Sequence, residues 1–525
     1  MGSPAATNAS APTPSTRPGA AIGLGVVVSI AAAKLLLHLA TNLFGGYGYF
    51  RDELYYLACS DHLAFGYVDQ PPLSIWLLAA SRWAFGDSLF ALRLLPALAG
   101  AATVLLAGLM ARELGGGRLA QALAGLGTLV SLVYLGMDGF FSMNAFDILI
   151  WALAGWLVIR LIAVNQPRRW VLLGAVLGLG LLNKVGVLWL GAGLGVGLVL
   201  TPQRRSLRTP WPWLAATMAA VLFSPFVIWN ATHGWAHLEF IHNATAGKYS
   251  GLSPLSFLAG QWLQQNPVTL PLWLAGLGFL AFSKAGTRWR LLAWLYLTPL
   301  AILLVNGHSK SEYLAPAYSM LFAAGGVALE RWLSGPRLRL VGLGYAVVLT
   351  SGLVLTPLAL PILPAESYIR YAKTLGIAPS TPEHKQLAEL PQFYADMFGW
   401  EEKAQAVARV YHALPPAEQE KAVLAADNYG RCGALDFFGR RLGLPPCISG
   451  HNSYWIWGPR GWDGEVIVIL GGALADKREQ FESVEVAGET SCRYCMPYEN
   501  HLKIYVCRKL KGRVVDVWPW VKHYE

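Results

Sequence analysis

Charge is scarce in this chain. Only 14% of its 525 residues are Asp, Glu, Lys or Arg, against 54% hydrophobic, and the mean hydropathy is +0.41. A soluble protein of this length divides into about three or four domains with charged surfaces, and this composition excludes that arrangement. Cysteine is also scarce, at six. A Cys-x-x-Cys spacing occurs once, at Cys492 and Cys495, without the second pair that a four-cysteine zinc site requires, so disulfide or plain thiol is the better reading. No internal repeat is visible, which counts against the paired halves of a transporter. Low complexity is confined to an Ala-, Ser-, Thr- and Pro-rich tail over residues 1–19, expected to be disordered.

What the chain does have is a succession of apolar stretches, each about 15–25 residues, the length that carries a helix across roughly 30 Å of hydrocarbon. They run through residues 20–363 and predict a polytopic α-helical membrane protein with about eleven helices: 20–43, 73–86 leading into 89–111, 119–136, 144–164, 170–182, 185–201, 212–229, 269–283, 290–306, 314–333 and 340–361. The stretch 73–86 also suits a helix lying at the interface. The net charge of +10 does not point to nucleic acid. Its arginines and lysines cluster in short gaps (Arg112 and Arg118; Arg160, Arg168 and Arg169; Arg204, Arg205 and Arg208; Lys284, Arg288 and Arg290; Arg331, Arg337 and Arg339), as the positive-inside rule requires of cytoplasmic loops. That pattern places the N-terminus in the cytoplasm of an inner or plasma membrane. It puts the loop after the first span, and the C-terminal segment, outside.

Polar residues gather in the outer connections: 44–72; 134–147 with Asp138, Asn144 and Asp147; 230–268 with His233, His237, Glu239, His242 and Lys248; and 307–313. The densest is Phe50-Arg51-Asp52-Glu53-Leu54-Tyr55-Tyr56, followed by Asp69-Gln70-Pro71-Pro72. Carboxylates near a bilayer are costly and persist where they have a task. Two adjacent acids there suit proton abstraction or metal holding; they equally suit a helix start, where acids complement the dipole. Lys184 lies in a break between two apolar stretches, where a lysine needs a partner. Arg93 suits phosphate binding or snorkelling at a helix end. His233 and His237 are four residues apart, a spacing for two metal ligands on one helix face, yet Trp229 and Trp235 beside them suit an interfacial loop as well.

After residue 363 the charge density becomes ordinary. An amphipathic helix is expected over 384–412, and buried strands over 465–470 and 502–507, giving a C-terminal α/β or α+β domain over 364–525 on the extracytoplasmic side. Five cysteines fall there, an odd number, so at least one is free or pairs elsewhere.

Taken in order, the motifs resemble a family. Asp52-Glu53-x-x-Tyr56, Asp69-Gln70-Pro71-Pro72-Leu73 with Trp76, Arg93-Leu94-Leu95-Pro96, the 178–184 turn ending at Lys184, Trp229-Asn230 with His233-Gly234-Trp235, and Lys310-Ser311-Glu312-Tyr313 are similar to the membrane GT-C glycosyltransferases. The nearest group is the protein-mannosyltransferase-like, or family 39, branch, which includes lipid A aminoarabinose transferases and rhizobial lipopolysaccharide-core transferases. The resemblance covers roughly residues 20–335. It implies transfer of a hexosyl or pentosyl group from a polyprenyl-phosphate donor to a lipid, glycan or protein acceptor on the extracytoplasmic face. By the same resemblance Asp52 is the base, with Glu53 beside it. Asp147 stands in where the family's Thr-Asp pair is here Met143-Asn144. For the donor phosphate the candidates are Arg93, Lys184 and Lys310, with Asp69, Tyr56 and Asp138 as supporting residues. The family's Glu-Lys-Pro-Pro is here Asp69-Gln70-Pro71-Pro72, which keeps an acid and loses a cation. No cofactor is certain; a divalent metal on Asp69 and one histidine stays open. The alternative is a membrane transporter or lipid flippase, and a third reading makes the helices a mere anchor.

Overall fold

The computed structural model describes residues 18–164, 166–248, 251–307, 309–333, 338–381, 383 and 385–525. Most of the tail expected to be disordered, and Arg337, lie outside the described residues; so do the side chains of Lys248 and Arg339. The chain opens with α1 (Pro18–Phe44), which is largely apolar, turns Lys34 and His38 inward, and stops at the Gly45-Gly46 pair, Gly46 having φ +73°. A short helix follows where a loop was expected: α2 (Arg51–Asp61) starts from extended Phe50, with Asp52 and Glu53 in its first turn. Glu53 reaches back to accept from the Phe50 backbone N–H (2.8 Å), so its own side chain caps the helix.

Next come α3 (Leu73–Phe85) and α4 (Leu89–Glu113), the latter capped by Ser88 Oγ, which accepts from Ala91 N. The expected helix 119–136 is broken at Ser131 into α5 (Arg118–Val130) and α6 (Leu132–Met137). At the break, buried Ser131 Oγ donates to Gln265 Oε1 (2.8 Å), a bond that an unbroken apolar span would not make. Then follow α7 (Met143–Ala163), α8 (Arg169–Asn183), α9 (Val187–Leu200) and α10 (Trp211–Thr232). Helices α8 and α9 part at Lys184, which is extended, as expected of the Asn183-Lys184 turn. The third outer connection is not one loop. After the left-handed pair Gly234-Trp235 it forms α11 (Ala236–Asn243), and Ser253 caps α12 (Pro254–Gln264). The remaining apolar helices are α13 (Leu270–Phe282), α14 (Arg290–Asn306), α15 (Tyr318–Trp332) and α16 (Leu338–Ala359).

Five helices among the described residues are long and apolar enough to cross a membrane: Leu24–Phe44, Leu89–Glu113, Met143–Ala163, Trp211–Thr232 and Thr287–Asn306. Several others are apolar but shorter, so the count of eleven spans is not carried by helix length. Small residues let these helices approach: a Cβ on Gly174 would strike the Ala215 backbone of α10, and one on Gly325 would strike Leu272 of α13.

Beyond α17 (Ala365–Thr374), the short α18 (Gln392–Ala395) and α19 (Trp400–His412) occupy the stretch expected as one helix over 384–412. Pro391, and Gly399 at φ +84°, interrupt it. A small sheet domain follows. After α20 (Pro416–Gln419), strand β1 (Val423–Ala426) leads to α21 (Tyr429–Gly439), β2 (Cys447–Ile448), α22 (Ser453–Trp457) and β3 (Val466–Leu470). The hairpin β4 (Phe481–Glu489) and β5 (Lys503–Leu510) completes it. The order is β2-β1-β3-β5-β4, with the first three strands parallel and the last two antiparallel to their neighbours. Buried β3 pairs Val423 with Ile467 on one edge and Tyr505 with Ile469 on the other. Cys432 in α21 and Cys447 in β2 form a disulfide; Cys59, Cys492, Cys495 and Cys507 are free thiols.

The feature that positions the site is the depth of α2. Leu54, Tyr55 and Leu57 share one buried apolar cluster with Trp400, Val407, Leu424 and Leu435, so α2 is packed into the core of the C-terminal domain. Gly433 allows this approach, since a Cβ there would meet the Leu54 backbone. The first outer connection and the C-terminal domain therefore lie on the same side of the helical bundle.

Candidate active site

The first turn of α2 sends its two acids to different partners. Asp52 keeps 36% of its side chain exposed. Its Oδ1 accepts from Tyr429 Oη (2.9 Å), at the start of α21, and from Arg51 Nε (3.3 Å). No hydrogen bond to its Oδ2 is present among the described residues. Arg51 in turn faces three carboxylates, Asp52, Glu383 (3.3 Å) and Asp396 (3.4 Å), and its Nη1 donates to Tyr498 Oη (3.0 Å). One cation among three acids holds the junction together. Burial raises the Asp396 carboxyl to about 7 despite the opposing Arg51 charge, with Asp52, Glu383 and Glu499 adding to the rise.

Glu53 is wholly buried, and both its oxygens are filled. Oε1 accepts from Arg93 Nε (2.9 Å) and Phe141 N (2.7 Å); Oε2 accepts from Arg93 Nη2 (2.7 Å) and Phe50 N (2.8 Å). Arg93, 2% exposed, also donates to the Gly48 carbonyl (2.9 Å). These two residues, expected at the base and at the donor phosphate, instead bond each other in a bidentate pair. That pair ties α2, α4 and the 134–147 connection together. Asp138 likewise forms a fully buried ion pair with Lys34 of α1 (2.6 Å).

A second group begins two residues beyond Phe141 on the 134–147 connection. Tyr56 Oη accepts from Met143 N (3.3 Å), and the neighbouring Asn144 Oδ1 accepts from Lys184 Nζ (2.7 Å). Asp147, one turn along α7, is 3.6 Å from the same ammonium, which also sits over the Tyr313 ring at 5.3 Å. Lys310 comes immediately before the tight turn that carries Tyr313. Asp69 Oδ1 accepts from Tyr55 Oη (2.9 Å), and burial, with the Asp69 and Asp52 charges adding, holds the Tyr56 hydroxyl well above its usual range. The structure thus groups Tyr56 with the 143–147 turn, where Asn144 and Asp147 meet Lys184, and ties Asp69 to Tyr55 and Asp52 to Tyr429, while Glu53 with Arg93 and Asp138 with Lys34 form buried ion pairs of their own.

The histidines do not join these groups. His237 Nδ1 lies 3.0 Å from the Val68 carbonyl and His233 Nδ1 2.7 Å from the Trp229 carbonyl. Among the described residues no group of three or more His, Cys, Asp or Glu side chains is placed to hold a metal.

Sequence reading missed Tyr429 and the role of Arg51. A signal was available: Asp427-Asn428-Tyr429 follows a strand and opens a helix, with Asn428 Oδ1 accepting from Arg431 N (2.9 Å), and such strand-to-helix turns are where an open α/β sheet carries its site. Asn144 stands among the polar residues of the 134–147 connection in the sequence, but its bond to Lys184 was not foreseen.

An α-helical bundle with apolar spans, a polar face after the first helix and a small sheet domain over it is the architecture of the GT-C class of membrane glycosyltransferases. The resemblance to its family 39 branch is borne out by comparison. Residues 69–229 match the dolichyl-phosphate-mannose-protein mannosyltransferase family. Lipid A galacturonosyltransferase RgtD of Rhizobium johnstonii is 25% identical over 319 residues, covering 58% of this chain and 66% of the relative. An undecaprenyl phosphate-α-4-amino-4-deoxy-L-arabinose arabinosyl transferase of Pseudomonas paraeruginosa is 28% identical over 345 residues, covering 58% and 59%. The match therefore spans less than two thirds of the length of these curated relatives, 66% and 59%. In fold, the chain is similar to ArnT from Cupriavidus metallidurans, solved bound to undecaprenyl phosphate, with a TM-score of 0.60 at 14% identity over 92% of this chain and 97% of that one. The transporter or flippase reading is not favoured by these likenesses.

Proposed function

We propose that this protein is an integral-membrane glycosyltransferase. It moves a hexosyl or pentosyl group from a polyprenyl phosphate to a lipid, glycan or protein acceptor at the extracytoplasmic face, with inversion, Asp52 serving as base. The acceptor oxygen forms its bond to the anomeric carbon as the carbon–phosphate oxygen bond breaks; the acceptor's proton passes to Asp52 and the polyprenyl phosphate departs. A phosphate leaves readily, so one base suffices, unlike the two carboxylates of a glycosidase. The observation that supports this reading is the setting of Asp52: part-exposed, held through Oδ1 by Tyr429 and Arg51, with no hydrogen bond to Oδ2 among the described residues. General-base help of this kind contributes about 10²–10⁴-fold.

Lys184, steadied by Asn144 and Asp147 on the Tyr313 ring, supplies positive charge to the departing phosphate, with Lys310 beside that turn. Glu53 and Arg93 position α2, Tyr56 and Asp69 shape its far side, and Asp138 with Lys34 braces the bundle below. The Cys432–Cys447 disulfide supports an oxidising, extracytoplasmic location for the C-terminal domain, with the N-terminus in the cytoplasm.

The test is transfer from a panel of radiolabelled polyprenyl-phosphate sugars by the purified chain in lipid, wild type against Asp52→Asn. Collapse of transfer in a variant that still folds and binds donor is the expected result. Equal transfer by both removes Asp52 from the chemistry.

A further inference from the structure

Beside Asp52, at the N-terminal end of α2, lies a cavity of about 420 Å³ that the transfer chemistry above does not use. This volume falls within the range of small-molecule sites, about 300–1,000 Å³. Arg51 and Tyr429 form its inner wall, and these same two residues hold Asp52 Oδ1. Its other walls come from the C-terminal domain and include Lys385, His451, Tyr498 and His523.

The lining chemistry is specific. Aromatic faces recur: the Tyr429 and His451 rings are 4.8 Å apart, the His451 and His523 rings 5.1 Å, and Lys385 Nζ lies over the Tyr498 ring at 5.4 Å. The cations are largely matched by acids. Arg51 faces Asp52, Glu383 and Asp396, and Arg431 is paired with Asp427 and Glu499. A phosphate site concentrates unpaired positive charge and a prenyl site is apolar; this cavity is neither. Flat rings with interleaved acids, bases and amides are the complement of a sugar, whose C–H faces stack while its hydroxyls both donate and accept.

We propose that this cavity is the subsite for the saccharide part of the acceptor, so that the C-terminal domain selects the acceptor and presents it next to Asp52. The proposal rests on the glycosyltransferase reading. Lys385 and His523, both exposed, contribute the outer polar contacts, while Tyr429 forms the wall shared with the base.

Binding is tested without transfer, by saturation-transfer NMR on the full chain in lipid nanodiscs with maltose, chitobiose and digalacturonate as probes. At least one sugar is expected to give a signal that weakens in Lys385→Ala and His523→Ala, variants whose melting temperature checks that the fold is kept. Absence of signal from all three, or signals untouched by both variants, overturns the proposal. Displacement of the sugar by inorganic phosphate assigns the cavity to the donor and also overturns it. In the transfer assay the same variants are expected to raise the acceptor KM about ten-fold while the donor KM stays put. Intact transfer with an unmoved acceptor KM sinks the subsite alone. Sugar binding that both variants weaken, without transfer from any donor, sinks the glycosyltransferase reading and leaves the cavity a sugar site with no acceptor role.

Discussion

Replacing Glu53 by glutamine changes one atom in the protein's best-satisfied carboxylate. All four groups around Glu53 are donors: Arg93 Nε, Arg93 Nη2, Phe141 N and Phe50 N. A carboxylate accepts from all of them, whereas a glutamine must aim its NH₂ at two donors, whichever way it is turned. Two bonds are lost and Arg93, 2% exposed, is left without its counter-charge. Breaking a buried pair by removing one partner costs about 3–5 kcal/mol. Glu53→Gln is therefore expected to lose stability of that order, read by SDS titration or thermal unfolding in micelles. Arg93→Leu should cost a similar amount. The double variant should lose less than the sum of the two, because the second change removes the charge that the first one stranded. A loss below about 1 kcal/mol, or strict additivity, refutes the assignment of Glu53 as a structural hub. Full stability with abolished transfer would place Glu53 in the chemistry itself, as the motif suggests.

Asp396, raised to about 7 by burial, makes stability depend on pH. The folded state binds a proton that the unfolded chain has released, so stability should fall as pH rises from about 4 through 7, by roughly 2–4 kcal/mol, and Asp396→Asn should flatten that slope in melting curves. Cys432→Ala opens a loop of sequence separation 15 and should cost about 3 kcal/mol, with reduction by dithiothreitol reproducing the loss in the wild type and adding nothing to the variant. Lys184→Ala should raise the KM for the polyprenyl-phosphate donor more than tenfold, as loss of a charged contact of about 1.5–3 kcal/mol implies, and a donor KM that stays at its wild-type value removes Lys184 from the phosphate site.

Local pattern made much of this molecule legible. Apolar runs placed most of the long helices within a few residues, because in a bilayer a run of apolar side chains has few alternatives to a helix. The break at Lys184 was readable because a lysine between two apolar runs interrupts them. Strands β3 and β5 were readable from buried β-branched runs bounded by turns. The split of 384–412 was not read, since helical periodicity outweighed Pro391 and Gly399 in a sequence scan, yet the backbone obeys the glycine. Helices α2, α11 and α12 were read as loops because their polar residues hide an apolar face that only a neighbour reveals.

By itself the sequence determined that this is a polytopic helical membrane protein with acids, lysines and aromatics collected in a few connections, since composition and hydrophobic length are properties of single segments. Which of those residues share a surface was decided only by tertiary structure. Asp52 and Glu53 are adjacent in the chain and alike in chemistry. A helix turns about 100° per residue, so one points to the Tyr429 wall and the other into the bundle against Arg93. Tyr429 is 377 residues from Asp52, and no local pattern links them. Burial of the apolar face of α2 in the C-terminal domain is what brings the two together.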